Sequence, residues 1–267
     1  MSETSVRRRR IAWWSWLDLH LAAFFVFLYL PILVLIALSF NRSGLPTAWT
    51  GMTLDWYAKL FSSPDIGRAL LNTLIVAVAV TLLSTVIGTA IGLALMGTRP
   101  PPALEALLFA PMIIPDIVLA IALASFYYLV GLSLGLHSIV LSHVVFDIAF
   151  VTAVVRTRLA HFDRSIIEAS IDLGAGDWTT FRRITLPVIA RGVVAAGLLA
   201  FTLSIDEFII AYFTSGAGTS STTLPMKIFS MVRFGVTPDI NALAAILMTV
   251  SFVIVLASQR LERKGRT

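Results

Sequence analysis

The chain of 267 residues contains no cysteine, which removes disulfides, thiolate chemistry and sulfur-ligated metals from its repertoire. Charge is scarce as well: 13% of residues are charged against 58% hydrophobic, and the mean hydropathy is +0.90, outside the range of soluble domains. Also missing is any stretch of the G-x-x-x-x-G-K-[ST] type, the loop that cradles nucleotide phosphates, so ATP hydrolysis is not expected from this polypeptide. What the composition describes is an all-α, polytopic membrane protein. Its first apolar run, at about 19–40, is of spanning length rather than the length of a signal-peptide core, so the N-terminus is expected to be retained.

Apolar runs at about 19–40, 70–96, 105–130, 138–156, 188–212 and 240–258 predict six transmembrane helices. The 20 Lys and Arg sort unevenly between the two sides of such a bundle. With the N-terminus inside, only Arg42, Lys59, Arg68, Lys227 and Arg233 fall outside, and the positive-inside rule then places both termini in the cytoplasm. The expected cytoplasmic parts are a tail at 1–18, a loop at 157–187 and a tail at 259–267. The net charge of +5 follows from this topology and from anionic membrane lipid, without a nucleic-acid partner. Trp49, Trp56 and Tyr57 in the outside segment 41–69 read as interfacial belt residues. Two stripes of small residues, Ser84, Gly88 and Gly92 in the second span and Gly192, Ala196 and Ala200 in the fifth, predict faces where helices approach closely.

The 157–187 loop is too long and too ordered in pattern to be a mere connection. Ser165 followed by Glu168 is a capping-box signature, predicting a short helix over 166–173 that Gly174 ends. Asp177 would start a second helix that stops near Pro187. Ile166, Ile167, Ile171 and Leu173 make the first helix apolar enough to want a partner, while Asp163, Glu168 and Asp172 keep it in water, a knob for a groove. Glu168, Ala169, Ser170, Gly174, Ile184, Leu186 and Pro187 stand at the spacing of the EAA loop, and the segment resembles that of the permease subunits of ABC importers, with Ser170 in place of the second alanine. The resemblance implies that Glu168 and its neighbours dock on a separate dimer of ATP-binding subunits and that Gly174 permits the bend. It also implies that ATP and Mg²⁺ belong to that partner, with no cofactor on this chain.

Four acids fall inside predicted spans: Asp116, Asp147, Asp206 and Glu207. A carboxylate at a helix centre costs roughly 2.5–3.5 kcal/mol on insertion scales, and no Lys or Arg stands mid-span to offset it, which favours a cationic passenger. Asp116 follows Pro111 and Pro115, whose missing N–H groups predict a kinked or broken third span. Thr202, Asp206 and Phe213 are expected along one face of the fifth span, with Glu207 turned toward a neighbouring helix or subunit. Asp147, one turn after His143, is expected to hydrogen-bond to it as a structural pair. A metal site from His137, His143 and Asp147 is the weaker alternative.

The run LLAFTLSIDEFIIAYFTSG with TLPMKIFSMVRFGVTPDINALAAI, together with FDRSIIEASIDLGA and IIPDIVLAIAL, resembles the spermidine/putrescine importer permeases from about residue 60 onward. That resemblance implies a type I ABC importer permease fold and a single permease domain over 1–267 in the bacterial cytoplasmic membrane. It further implies a second homologous permease and an external substrate-binding protein as partners. The cargo passage is expected to be lined by Asp116 and Asp206, with Thr202, Glu207 and Phe213 along it. Glu207 stands where that family often has Asp, and Asp147 matches none of its acids. Two alternatives stay open: the same machinery carrying ferric ion, sulfate, phosphonate or an amino acid, and an ion-coupled secondary transporter. The latter usually carries an internal repeat, and none is evident.

Overall fold

The computed structural model describes residues 3–44, 48–160, 162–163, 165–233, 235 and 237–264, with side chains described between 16 and 253. The side chains of Arg7–Arg10, Arg164 and the basic residues after 259, used above in the charge sort, lie outside the described residues. Its helices are α1 (Glu3–Leu38), α2 (Asp55–Phe61), α3 (Pro64–Ala94), α4 (Pro102–Ile113), α5 (Asp116–Leu129) and α6 (Leu136–Ala160). They continue with α7 (Ser165–Asp172), α8 (Asp177–Thr180), α9 (Leu186–Asp206), α10 (Ile209–Thr214), α11 (Leu224–Arg233) and α12 (Pro238–Lys264). Proline opens α3, α4 and α12, where its fixed φ suits the first helical turn and its missing N–H is no loss. No β-strand occurs among the described residues.

The chain divides into two compact units, Met1–Ser63 with Ser230–Thr267, and Pro64–Phe229. In the second unit α3, α6 and α9 pack on one another as a frame. The small-residue stripes lie at these contacts: a Cβ at Gly88 would stand 2.7 Å from Val151 Cγ1, and one at Gly92 2.9 Å from Val155 Cγ1. Ala196 and Ala200 are buried with Val151, Val155 and Ile189 in the same core. Where lipid removes the hydrophobic drive between helices, such close backbone approach supplies the packing energy. Asn72 on α3 ties this frame to the stretch before α11, its Nδ2 donating to the carbonyls of Ser220 and Thr222 at 2.9 Å each.

In the first unit α12 packs on α1 and α2. Tyr57 OH shares a 2.6 Å hydrogen bond with Ser39 Oγ, Trp56 Nε1 donates 2.8 Å to the Asn41 carbonyl, and Lys59 pairs with Asp239 at 3.9 Å. Trp56 and Tyr57 therefore hold the loop after α1, a role the belt reading of these aromatics left out.

Length and composition qualify Trp16–Leu38, Pro64–Ala94, Leu136–Ala160 and the continuous helix Asp177–Asp206 as membrane-crossing. A fifth is the pair α4 and α5, bent by 111° between them. Pro238–Val253 of α12 adds a shorter apolar stretch. Two sequence expectations are corrected here. The fifth apolar run is not one helix to residue 212, because α9 ends at Asp206 and α10 begins at Ile209. The helix opened by Asp177 does not stop near Pro187: a π-turn over Phe181–Thr185 joins α8 to α9. With the Leu186 N–H reaching back five residues to the Phe181 carbonyl, the wider turn accommodates the proline that an ordinary α-turn would exclude.

Candidate functional site

Two helix breaks carry three of the four membrane acids, Asp116, Asp206 and Glu207, while Asp147 lies within α6. α4 ends at Ile113, Ile114 is extended with ψ of 134°, and Pro115 precedes Asp116, the first residue of α5. A carboxylate there lies in the favourable field of the α5 N-terminus. The second break follows Asp206, the last residue of α9. Glu207 is extended (φ −66°, ψ 118°) and its Oε1 accepts the Ile210 N–H at 2.7 Å, capping α10. α10 packs on α5 and α6, with Ile210 buried among Leu119, Ala120 and Phe146. That contact brings the two breaks together.

The acids consequently share one electrostatic neighbourhood. Glu207 feels Asp116 and Asp206, and Asp147 feels Glu207 and Asp206; among the described residues no base contributes at either position. Asp206 and Thr202 are exposed one turn apart on α9, Asp116 and Glu207 are half-buried, and Asp147 is fully buried. Because α9 stops at an extended residue, its last carbonyls lack intrahelical donors, and this negative helix end adds to the Asp206 carboxylate. A membrane-embedded end of this kind, open on one side, is suited to a cation.

Several expectations change. Phe213 does not continue the Thr202 and Asp206 face, since the break at Glu207 intervenes and Phe213 packs against the α5, α6 and α10 core. Glu207 caps α10 through Oε1, a role that the expectation of a neighbouring helix or subunit as its partner did not include. His143 and Asp147 are not hydrogen-bonded: His143 Nδ1 pairs with Ser204 Oγ at 2.9 Å, while His143 Nε2 and both Asp147 oxygens have no hydrogen-bond partner among the described residues. His137 Nε2 lies 2.6 Å from the Ser133 carbonyl, and no group of three metal-binding side chains occurs among the described residues.

Sequence reasoning missed Ser204 and an aromatic group beside the second break. The Phe208 and Phe229 ring centroids are 4.6 Å apart, Phe208 and Tyr212 5.5 Å, and Tyr212 and Phe229 6.1 Å. The signal was present in Phe208 and Tyr212, one turn apart directly after the acid pair; Phe229 is remote in sequence.

The second element of the site is the loop that carries α7 and α8. Asp163, not the Ser165 and Glu168 box, caps α7: its Oδ1 accepts the Ser165 N–H at 3.0 Å. Hydrogen bonds from the Ser165 side chain and then its N–H hold the Asp163 carboxyl below the usual carboxylate range. Gly174 closes the helix at φ +80°, with its own N–H bonded to the Ile171 carbonyl at 2.8 Å and that of Ala175 to Ser170 at 3.1 Å. This is a Schellman motif, which needs the left-handed conformation that glycine adopts freely. Ser170 is buried, sharing a 2.9 Å hydrogen bond with Thr180, and Ile167 packs on the frame around Val155 and Ile189. The opposite side presents Glu168, Ala169, Ile171, Leu173 (89% exposed) and Trp178 (70% exposed). Ile184 and Leu186 are half-buried and Pro187 exposed at the π-turn that carries the loop into α9.

Residues 84–266 match the family described as the binding-protein-dependent transport system inner membrane component. The chain belongs to this family. Among curated relatives, this permease is 40% identical over 252 residues to the spermidine/putrescine transport system permease protein PotC of Escherichia coli K12, covering 92% of this chain and 95% of the relative. It is 39% identical over 243 residues to PotC of Haemophilus influenzae, covering 90% and 94%. With the putrescine transport system permease protein PotI of Escherichia coli K12 it shares 39% over 233 residues, covering 84% and 82%. Among solved structures it matches a bacterial ABC transporter that imports the acidic polysaccharide alginate (TM-score 0.74, 20% identity, 96% of each chain). It also matches the MetNI methionine ABC transporter (TM-score 0.62, 21% identity, 80% of this chain and 99% of that one). The permease thus has the fold of ABC importer permeases and is a multi-pass inner-membrane transport component, not an enzyme.

Proposed function

We propose that this chain is the permease subunit of an ATP-driven importer for polyamines such as putrescine or spermidine. The observation that carries the reading is the carboxylate cluster at the two helix breaks, with Asp206 exposed beside Thr202 on a membrane-crossing helix. An acid in that position needs a watery passage or a polar partner rather than lipid, and a cluster of carboxylates with no base beside Glu207 or Asp147 among the described residues suits a cargo that brings the positive charge. The names of the 39–40% identical relatives point to the same cargo class.

In this reading the chain is one permease domain with six spans and both termini in the cytoplasm. It is paired with a second homologous permease across the Asp206 face, served by an external binding protein and driven by a dimer of ATP-binding subunits that hold the ATP and Mg²⁺. Asp206 and Asp116 receive the ammonium groups, Thr202 supplies a hydroxyl beside them, and Glu207 fixes the start of α10 so that the two breaks stay in register. ATP-driven closure displaces α7 through Glu168, Ala169, Ile171 and Leu173, and the continuous helix Asp177–Asp206 carries that displacement to the acid at its far end. The carboxylates attract the cargo without enclosing it, so that it leaves again.

Uptake of radiolabelled putrescine and spermidine by cells with and without this subunit tests the proposal, with sulfate and ferric ion as competitors. Amine uptake that depends on the subunit and resists both competitors is expected. Competition by either ion, or amine uptake unaffected by deletion, refutes it.

A further inference from the structure

The turn between α3 and α4 has no part in the function proposed above, yet it borders a cavity of about 340 Å³ at the end of α6. Met96, Gly97, Thr98, Arg99, Arg156 and Leu159 are among the residues that line it. Gly97 stands at φ +76°, a left-handed conformation that takes the chain off the helix. Pro100, Pro101 and Pro102 follow Arg99. A residue before proline is confined to extended backbone, and Pro101 is itself extended at φ −54°, ψ 140°, so Arg99 sits on a stiff stretch. Its side chain is exposed and has no partner among the described residues.

The second guanidinium is fixed from the other side. Arg156 Nη1 donates to Glu105 Oε1 at 2.8 Å, and Arg156 Cζ lies 5.8 Å from the centre of the Phe109 ring. That leaves further N–H donors of the planar fork for an oxyanion. The Thr98 hydroxyl donates to the Leu95 carbonyl at 3.1 Å, so the two arginines are the polar side chains free to meet a ligand. Two guanidiniums and one carboxylate leave one net positive charge. The carbonyls that end α3 do not stand open against it, since N–H groups of the turn bond those of Ile91, Leu93 and Leu95.

Both helices that end here, Pro64–Ala94 and Leu136–Ala160, qualify as membrane-crossing, which puts the cavity at headgroup depth. Leu95, Met96 and Leu159 give it apolar lining, and Leu104 and Leu107 are exposed on α4 to either side of Glu105. A basic pocket between spans with apolar flanks matches a phosphodiester that carries acyl chains; a free phosphate or a nucleotide would leave the apolar part unused. The volume falls within the range of ligand pockets, about 300–1,000 Å³.

Independently of the cargo, we infer that this cavity binds the headgroup of an anionic phospholipid, its phosphodiester between Arg99 and Arg156 and its chains along α4. An occupied site fastens the end of α6 to the bilayer five residues before α7 begins.

The test is titration of the delipidated, complete importer with phosphatidylglycerol, read by native mass spectrometry as lipid bound per complex, with phosphatidylcholine of the same chains as the neutral comparison. Sites elsewhere on the complex are common to all variants, so differences between variants isolate this cavity. A basic side chain at a membrane surface strengthens anionic-lipid binding roughly fivefold. Arg99→Gln, at an exposed position, is therefore expected to weaken phosphatidylglycerol binding about fivefold, and Arg99→Lys to retain most of it. Glu105→Gln removes the opposing charge and is expected to tighten binding by a similar factor. Arg191→Gln, at an exposed arginine outside the cavity, is expected to change nothing. An equal loss in Arg191→Gln would mean general attraction to the bilayer surface, equal binding of phosphatidylcholine would mean that the headgroup charge is not read, and displacement by millimolar inorganic phosphate would make the free ion the ligand. Each of these overturns the inference, as does wild-type binding in Arg99→Gln.

Discussion

Substitution of Gly92 by alanine probes the frame that holds both breaks in place. The added Cβ would lie 2.9 Å from Val155 Cγ1 and 3.3 Å from Val155 Cβ, with the Arg156 backbone N at 3.8 Å. Carbon atoms rest about 3.5–4.0 Å apart, so α3 and α6 must separate by roughly half an ångström or Val155 must leave its rotamer. Overpacking of this kind costs about 1–3 kcal/mol, and the better helix propensity of alanine offsets up to about 1 kcal/mol of it. Val155→Ala alone removes two methyl groups from a fully buried site and costs about 2 kcal/mol. In the double variant Cγ1 is gone and the closest contact relaxes to 3.3 Å, so its loss of stability is expected to fall short of the sum by about 1–2 kcal/mol. Gly88 is the internal control. Its added Cβ meets Val151 Cβ itself at 2.8 Å and the Thr152 backbone N at 3.2 Å, contacts that Val151→Ala cannot relieve. Thermal denaturation of the purified importer in one detergent, over the two double-mutant cycles, measures both coupling energies. Additive costs at Gly92 and Val155, or equal rescue at Gly88 and Val151, would refute the close-packing account.

The other predictions concern the α7 loop and the proposed passage. Glu168→Lys, on an exposed position, is expected to leave folding intact and to cut uptake at least tenfold while ATP hydrolysis continues; unaltered transport removes Glu168 from docking. Asp206→Asn is expected to raise KM for putrescine at unchanged expression, and normal uptake excludes it from the passage. The depressed Asp163 carboxyl stabilises the start of α7 at pH values above the ordinary carboxylate range near 4, and that contribution is lost as pH falls through its lower, folded-state value. The protection of the Ser165 N–H, its exchange rate relative to the intrinsic rate at each pH, is therefore expected to fall on acidification, and not to do so in Asp163→Asn.

Much of the architecture follows from hydropathy alone, since spanning helices need only length and composition. The small-residue stripes proved to be the α3, α6 and α9 contacts because in lipid close approach requires small residues wherever two backbones meet. The breaks were only half legible. Pro111 and Pro115 announced the one before Asp116, but nothing in ID-EF marks a helix end, and the interruption at Glu207 rests on the packing of α10 against α5 and α6. The pairing of His143 was misread for a related reason: Asp147 is its nearest polar neighbour along the helix, yet Ser204 on another helix takes its Nδ1. In the α7 loop the Gly174 turn was readable because a positive φ selects glycine, whereas the cap went to Asp163 over the equally plausible Ser165. Pro187 misled because a π-turn, which sequence rules seldom anticipate, removes the conflict that proline creates.

The π-turn at Phe181–Thr185 also turns the 30 residues from Asp177 to Asp206 into a lever. A helix of that length measures about 45 Å, so a tilt of only 5° about one end displaces the other by about 4 Å. In the proposed importer a lever of this proportion needs no relay of side chains between α7 at one end and Asp206 at the other. Along α9 a close approach to α6 lies at Gly192, where an added Cβ would stand 2.8 Å from Arg158 Cγ, and in the proposed importer the position of such a contact along the helix would set the stroke at its far end.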